Sequence, residues 1–79
     1  MRRQRQWSAA QERALRRRVR SALVEQRLSL GLLQDEAARL AGLNRGQLAH
    51  IEQGVRLPSI DQLYKLARAY RCNPKGLLP

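Results

Sequence analysis

A chain of 79 residues holds one domain with a modest core and is too short for an enzyme with a deep, walled cleft. Its 43% apolar residues include three aromatics and no phenylalanine, so the core must be built from leucine, isoleucine, valine and alanine, which favours an all-α fold. Sixteen basic residues, fourteen of them arginine, outweigh six acids for a net charge of +10. This ranks a nucleic acid above a lipid surface as partner, because arginine's planar fork meets phosphate and guanine edges two bonds at a time.

The start, Met1 to Ala10, is basic but is followed by no apolar stretch of signal-peptide length, and no segment approaches bilayer-spanning length, so a soluble cytoplasmic protein is expected. An organelle transit peptide is the weaker reading, since the segment merges into a core-forming helix. Cys72 is the single cysteine, which rules out an internal disulfide or a cysteine-rich zinc site and suits a reducing compartment. It reads as a packing residue before it reads as a redox sensor. His50 is alone too, so neither a metal nor a cofactor is expected.

Residues 1–7 form a basic arm ahead of one domain over 8–79. Ser8 with Gln11 makes a capping box, so a first helix should begin near Ala9. With Leu15 at the origin of a helical wheel, Val19, Ala22, Gln26 and Leu30 fall beside it and Leu23 at the edge of their arc. Arg13, Arg17, Arg20 and Arg27 fall opposite, as either a solvated face or a phosphate-facing stripe. Gly31 is the first plausible stop.

Gln34 to Ala41 carries Ala37, Ala38 and Ala41 at helical spacing, and Asp35 and Glu36 suit the positive end of its dipole. Gly42 ends it. Asn44 caps the next short helix, whose Leu48 and Ile51 point one way, leaving Arg45, Gly46, Ala49, His50 and Gln53 on the other. Gly54 stops it. Ser59 with Gln62 repeats the capping box and opens a helix with a core stripe of Ile60, Leu63, Leu66, Ala67 and Tyr70. Asn73-Pro74 then opens at most one further turn. The reading is a compact all-α bundle of four to five helices.

Two short helices joined by Gly42-Leu43-Asn44 make a helix-turn-helix arrangement, in which the glycine allows the turn and small Ala38 lets the second helix lie close. The chain resembles the lambda-repressor-like and Cro-like helix-turn-helix family through Gln34-Asp35-Glu36-Ala37-Ala38, Ala41-Gly42-Leu43-Asn44-Arg45 and Ile51-Glu52-Gln53-Gly54-Val55-Arg56-Leu57-Pro58-Ser59. The likeness spans Leu15 to Leu78. It implies a five-helix fold whose third helix enters the major groove of double-stranded DNA, usually as a homodimer on a two-fold-related operator.

Carried over, the resemblance makes Gln34 a backbone or base contact at the start of the second helix. It puts Arg45 and Gly46 at the leading edge of the recognition helix with Gln47, Ala49 and His50 nearby, and Asn44, Gln53 and Arg56 on flanking phosphates. Geometry agrees for Arg45, since the N-terminal residues of a recognition helix reach the bases. A two-bonded contact to guanine O6 and N7 contributes about 1 to 3 kcal/mol of discrimination, against a phosphate contact or a solvated arginine as the plainer role. Gly46 reads as close backbone approach to DNA or as a tolerated weak helix former. Glu52 would repel phosphate and reads as structural, paired with Arg56. Arg17 and Arg20 join the phosphate candidates from the first helix.

The family pattern is broken in three places. Leu33 stands where Ser or Thr usually caps the second helix, which leaves that cap to backbone, water or an earlier start. Leu28-Ser29-Leu30-Gly31 is about one helical turn more than the pattern needs, which implies a lengthened first helix. Leu57 replaces a frequent asparagine. The basic lead is also long, and Arg2, Arg3 and Arg5 form an arm that either follows phosphates or makes no contact.

The function expected is a small sequence-specific transcriptional regulator: a phage-type repressor, an antitoxin-like autoregulator or a restriction-modification controller, the Leu43-Asn44-Arg45 opening leaning to the last by resemblance. The alternative is a protein- or RNA-binding module on the same scaffold. Paired carboxylates, a nucleophile-base set and a phosphate-cradling glycine loop are all missing from the sequence, so catalysis is not expected. A dimer face is expected from the apolar surplus of Leu23, Val24, Leu28, Leu77 and Leu78.

Overall fold

The computed structural model describes residues 6–78. Four α-helices follow one another, α1 Ala9–Ser29, α2 Gln34–Ala41, α3 Arg45–Glu52 and α4 Ile60–Ala69, and a 3-10 helix spans Pro74–Leu77. No strand occurs among the described residues. The basic arm proposed for Arg2, Arg3 and Arg5 lies outside them.

Local chemistry sets the helix starts. Ser8 with Gln11, Asn44 with Gln47 and Ser59 with Gln62 each form a reciprocal capping box, in which the side chain of one residue accepts the backbone N–H of the other. Each satisfies two N–H groups that no helical carbonyl can reach. Helix α2 has half of this device: Glu36 Oε1 accepts the Leu33 N–H at 2.9 Å, and Leu33 offers no acceptor in return. The missing hydroxyl does not shift the start, which stays at Gln34.

The helix ends share one motif. Beyond α1, α2, α3 and α4 the pairs Gly31-Leu32, Gly42-Leu43, Gly54-Val55 and Arg71-Cys72 each return two N–H groups to the last turn. The first residue of each pair is left-handed, at φ of 69, 71, 75 and 54° respectively. Arg71 therefore holds a conformation that a Cβ disfavours by about 1–2 kcal/mol. Of the additional turn Leu28 to Gly31, the first two residues extend α1 and the last two form its terminating turn.

The core joins Val19 and Leu23 of α1, Ala37, Ala38 and Ala41 of α2, Leu48 and Ile51 of α3, Leu63, Leu66 and Ala67 of α4, and then Tyr70 and Leu77. Three alanines on α2 let α3 and α4 approach its backbone closely, so the short helices lock at a fixed angle. Two residues of the expected dimer face, Leu23 and Leu77, are buried here instead. Leu23 sits at the edge of the wheel arc, and packing against α3 turns that edge inward. Leu28 and Leu78 are exposed and Val24 is half-buried. Cys72 is half-buried, and burial pushes its thiol above its usual pKa, as suits a packing residue.

Candidate nucleic-acid interface

Helix α3 buries Leu48 and Ile51 and turns Arg45, Gly46, Gln47, His50 and Gln53 outward, with Ala49 half-buried between them. Its outer face carries no acid, because Glu52, the one carboxylate on the helix, is buried. Two of the outward side chains are partly engaged: Asn44 Oδ1 accepts the Gln47 N–H at 2.8 Å, and Gln47 Oε1 accepts the Asn44 N–H at 3.0 Å. Each amide keeps its NH2 group for a partner. A Cβ on Gly46 would stand 3.4 Å from Asn44 Oδ1, an ordinary contact, so the cap does not itself require glycine there.

Glu52 is the hub that fixes α3. Arg27 donates to it through Nε at 2.7 Å and Nη2 at 2.9 Å, and Gln34 Nε2 donates to it at 2.9 Å. Arg27 also donates through Nη1 to the Leu32 carbonyl, and Arg20 Nε donates to the Glu52 backbone carbonyl at 2.6 Å. The end of α3 is thus tied to α1, to the α1–α2 turn and to the start of α2. The hydrogen bond to Glu52 raises the Arg27 pKa against the opposing effect of burial, so the guanidinium stays charged.

These contacts revise three expectations. Glu52 is structural, but its partner is Arg27 and not Arg56. Arg27 leaves the arginine stripe for the interior, because a neutralising carboxylate waits there. Gln34 directs its amide at Glu52 and not outward, although it stands at the N-terminus of α2, where N–H groups face any approaching phosphate.

Other arginines gather beside the end of α3. Arg13, Arg16, Arg17 and Arg20 line a groove closed on its far side by Gln53 and Gly54. Arg16 was not singled out by the wheel, which sets it beside the apolar arc. Arg56 is exposed on the α3–α4 connection. Arg45 lies 3.4 Å from the exposed Asp35, across the turn between α2 and α3. Such an exposed pair is worth little and yields to a stronger acceptor.

Comparison with known proteins decides the family. A helix-turn-helix family model matches residues 23–77, which contain α2, the turn, α3 and α4. The chain belongs to this helix-turn-helix family.

Among solved structures, the fold is similar to the restriction-modification controller protein C.AhdI from Aeromonas hydrophila, with a TM-score of 0.79 and 34% identity. The match covers 82% of this chain and 98% of that one. It is also similar to an HTH_3 family transcriptional regulator from Vibrio cholerae, with a TM-score of 0.79 and 27% identity over 84% of this chain. There it spans 37% of the other protein, which is much longer. No curated protein matches the sequence. Within the helix-turn-helix, α2 and α3 are joined through the left-handed Gly42.

Proposed function

We propose that this protein, a DNA-binding transcriptional regulator by family, reads the major groove of duplex DNA with α3. The observation that carries the reading is an exposed face of α3 that bears no acid of its own, on a helix whose far side is buried and whose end is pinned through Glu52. Arg45 is the leading base-reading side chain, with Gly46, Gln47, Ala49 and His50 within the same footprint. Asn44, Gln53 and Arg56, together with Arg17, Arg20 and the N-terminus of α2 at Gln34, contact the flanking phosphates. Phosphate contacts set the register and base contacts set the sequence.

A homodimer on a two-fold-related operator goes with this reading. Ile60 and Tyr64 are exposed one turn apart on α4, and Leu28 and Leu78 add apolar surface. Half-sites are then spaced by about 10 base pairs or a multiple of that. A cytoplasmic setting fits both the DNA partner and the reduced Cys72. No helix among the described residues is long and apolar enough to cross a membrane.

An electrophoretic shift of random-sequence duplex at low salt tests the reading. Retardation at micromolar protein is the expected result. An unshifted duplex alongside a shifted RNA or a captured acidic protein favours a binding module of another kind. Sedimentation that gives only monomer, with and without DNA, removes the dimer.

A further inference from the structure

We propose that the first half of α1 is a second DNA contact, a phosphate clamp that grips the duplex outside the half-site read by α3. The proposal rests on the DNA-reading assignment of α3 and extends it to a segment ahead of the residues that the family model matches. Residues Arg13 to Arg20 precede the matched region, which begins at residue 23.

The sequence spacing puts one charge type on one face. Arg13, Arg16, Arg17 and Arg20 recur at intervals of three and four, so they stack along a single side of the helix. Arg18 points away, about 140° round the helix from Arg13. The four face a groove completed by Gln53 and Gly54 at the end of α3, next to the proposed reading surface. Gly54 lets this groove close: a Cβ there would meet Arg20 Cδ at 3.1 Å.

The charges in the groove have little to neutralise them within the protein. Among the described residues, no carboxylate forms an ion pair with Arg13, Arg16, Arg17 or Arg20. Arg20 has its Nε on a backbone carbonyl, which leaves the rest of its guanidinium for another acceptor. Like charges this close repel one another unless an anion lies among them. Arg13 to Arg20 spans seven helical steps, about 10 Å, a reach that takes in about two to three successive phosphates along one strand. A continuous row of phosphates fits this spacing better than a single small anion does.

The test uses the whole 79-residue chain on a site selected from random duplexes, prepared in two lengths. One ends at the half-site boundary and the other extends about five base pairs outward, further than the arginine row spans. The wild type should bind the longer duplex more tightly and with a steeper dependence on salt. In R13Q/R16Q/R17Q the slope on the longer duplex should fall by about 2.7, or about 0.9 per lost contact. Its affinity should then drop roughly 40-fold less than that of the wild type between about 50 and 200 mM salt.

The single changes R17Q and R18Q remove the same charge from neighbouring positions about 100° apart on the helix, one lining the groove and one not, and leave Arg16, which is half-buried, in place. The slope should fall by about 0.9 in R17Q and stay unchanged in R18Q. Equal falls in R17Q and R18Q, or losses equal on the two duplexes, would overturn the clamp while leaving α3 as the reader. A wild type that binds no duplex would remove both, and the random-duplex shift would already have revealed it.

Discussion

Arg27 and Glu52 meet fork to fork, two hydrogen bonds between two enclosed side chains, with side-chain exposures of 12% and 5%. The pair joins the one helix that must be held still to the longest helix of the fold. Removing one partner leaves an uncompensated buried charge, which costs far more than the net contribution of the intact pair. Arg27→Met should therefore destabilise the protein by about 3–5 kcal/mol, read as a lower urea midpoint with an unchanged slope. The double change Arg27→Met, Glu52→Leu should recover much of that loss. A double variant as unstable as the sum of the two single ones contradicts the assignment.

Tyr70 is fully buried, and its hydroxyl finds no hydrogen-bond partner among the described residues. Burial, and then the Glu52 charge, pushes its pKa up to about 12. In the unfolded chain the phenol ionises near its ordinary value of about 10, so the unfolded state loses its proton first as pH rises. The contribution to stability is complete below about pH 10 and is lost as pH rises towards 12. Tyr70→Phe should remove this alkaline decline and cost little at neutral pH, since it deletes an orphaned hydroxyl. Denaturation of both proteins from neutral pH to pH 12 checks this, and identical alkaline profiles contradict it.

Arg71 takes a left-handed conformation at φ 54, where the other three helix ends use glycine. Arg71→Gly should stabilise the fold by about 0.5–1 kcal/mol, the relieved strain exceeding the added chain entropy. Gly42→Ala is the converse. Its Cβ would touch nothing within 4 Å, so the expected loss of about 1–2 kcal/mol is purely conformational. Thermal melts of the two variants should move in opposite directions, and a shared direction counts against this account of the helix ends.

Asp35 stands beside Arg45 on the proposed DNA face, with both side chains about two-thirds exposed. Asp35→Asn should change stability by less than about 1 kcal/mol, the scale of an exposed pair and a first-turn dipole interaction. DNA affinity should rise, because the carboxylate both occupies Arg45 and repels phosphate. Unchanged or weaker binding by the folded variant argues that Arg45 and Asp35 work as a unit.

Much of the fold was legible because its signals are local. Ser8, Asn44 and Ser59 announce their helices within three residues, and Gly31, Gly42 and Gly54 mark the ends in the same way. Leu63, Leu66, Ala67 and Tyr70 needed only their own period, whereas Ile60, expected in the same core stripe, is exposed at the first position of α4. What escaped was the partnership of charges distant in sequence. Nothing near Arg27 signals that Glu52 receives it, so on a helical wheel it is indistinguishable from the exposed Arg17. Likewise Leu23 and Leu77 look like surplus until α3 and α4 close over the core. Of the candidate site, the outward face of α3 could be read from the inward positions of Leu48 and Ile51. The inward turn of Gln34 and the place of Arg16 in the basic groove depend on tertiary packing.

Base reading by α3 through Arg45 is tested most directly by selection of bound sites from a random duplex library. The wild type should enrich a two-fold-related motif with a fixed guanine in each half. Arg45→Ala should bind with about 1–3 kcal/mol less discrimination at that base pair and retain preference elsewhere. A variant that enriches the same motif with the same guanine preference, or a wild type that enriches none, would contradict the account.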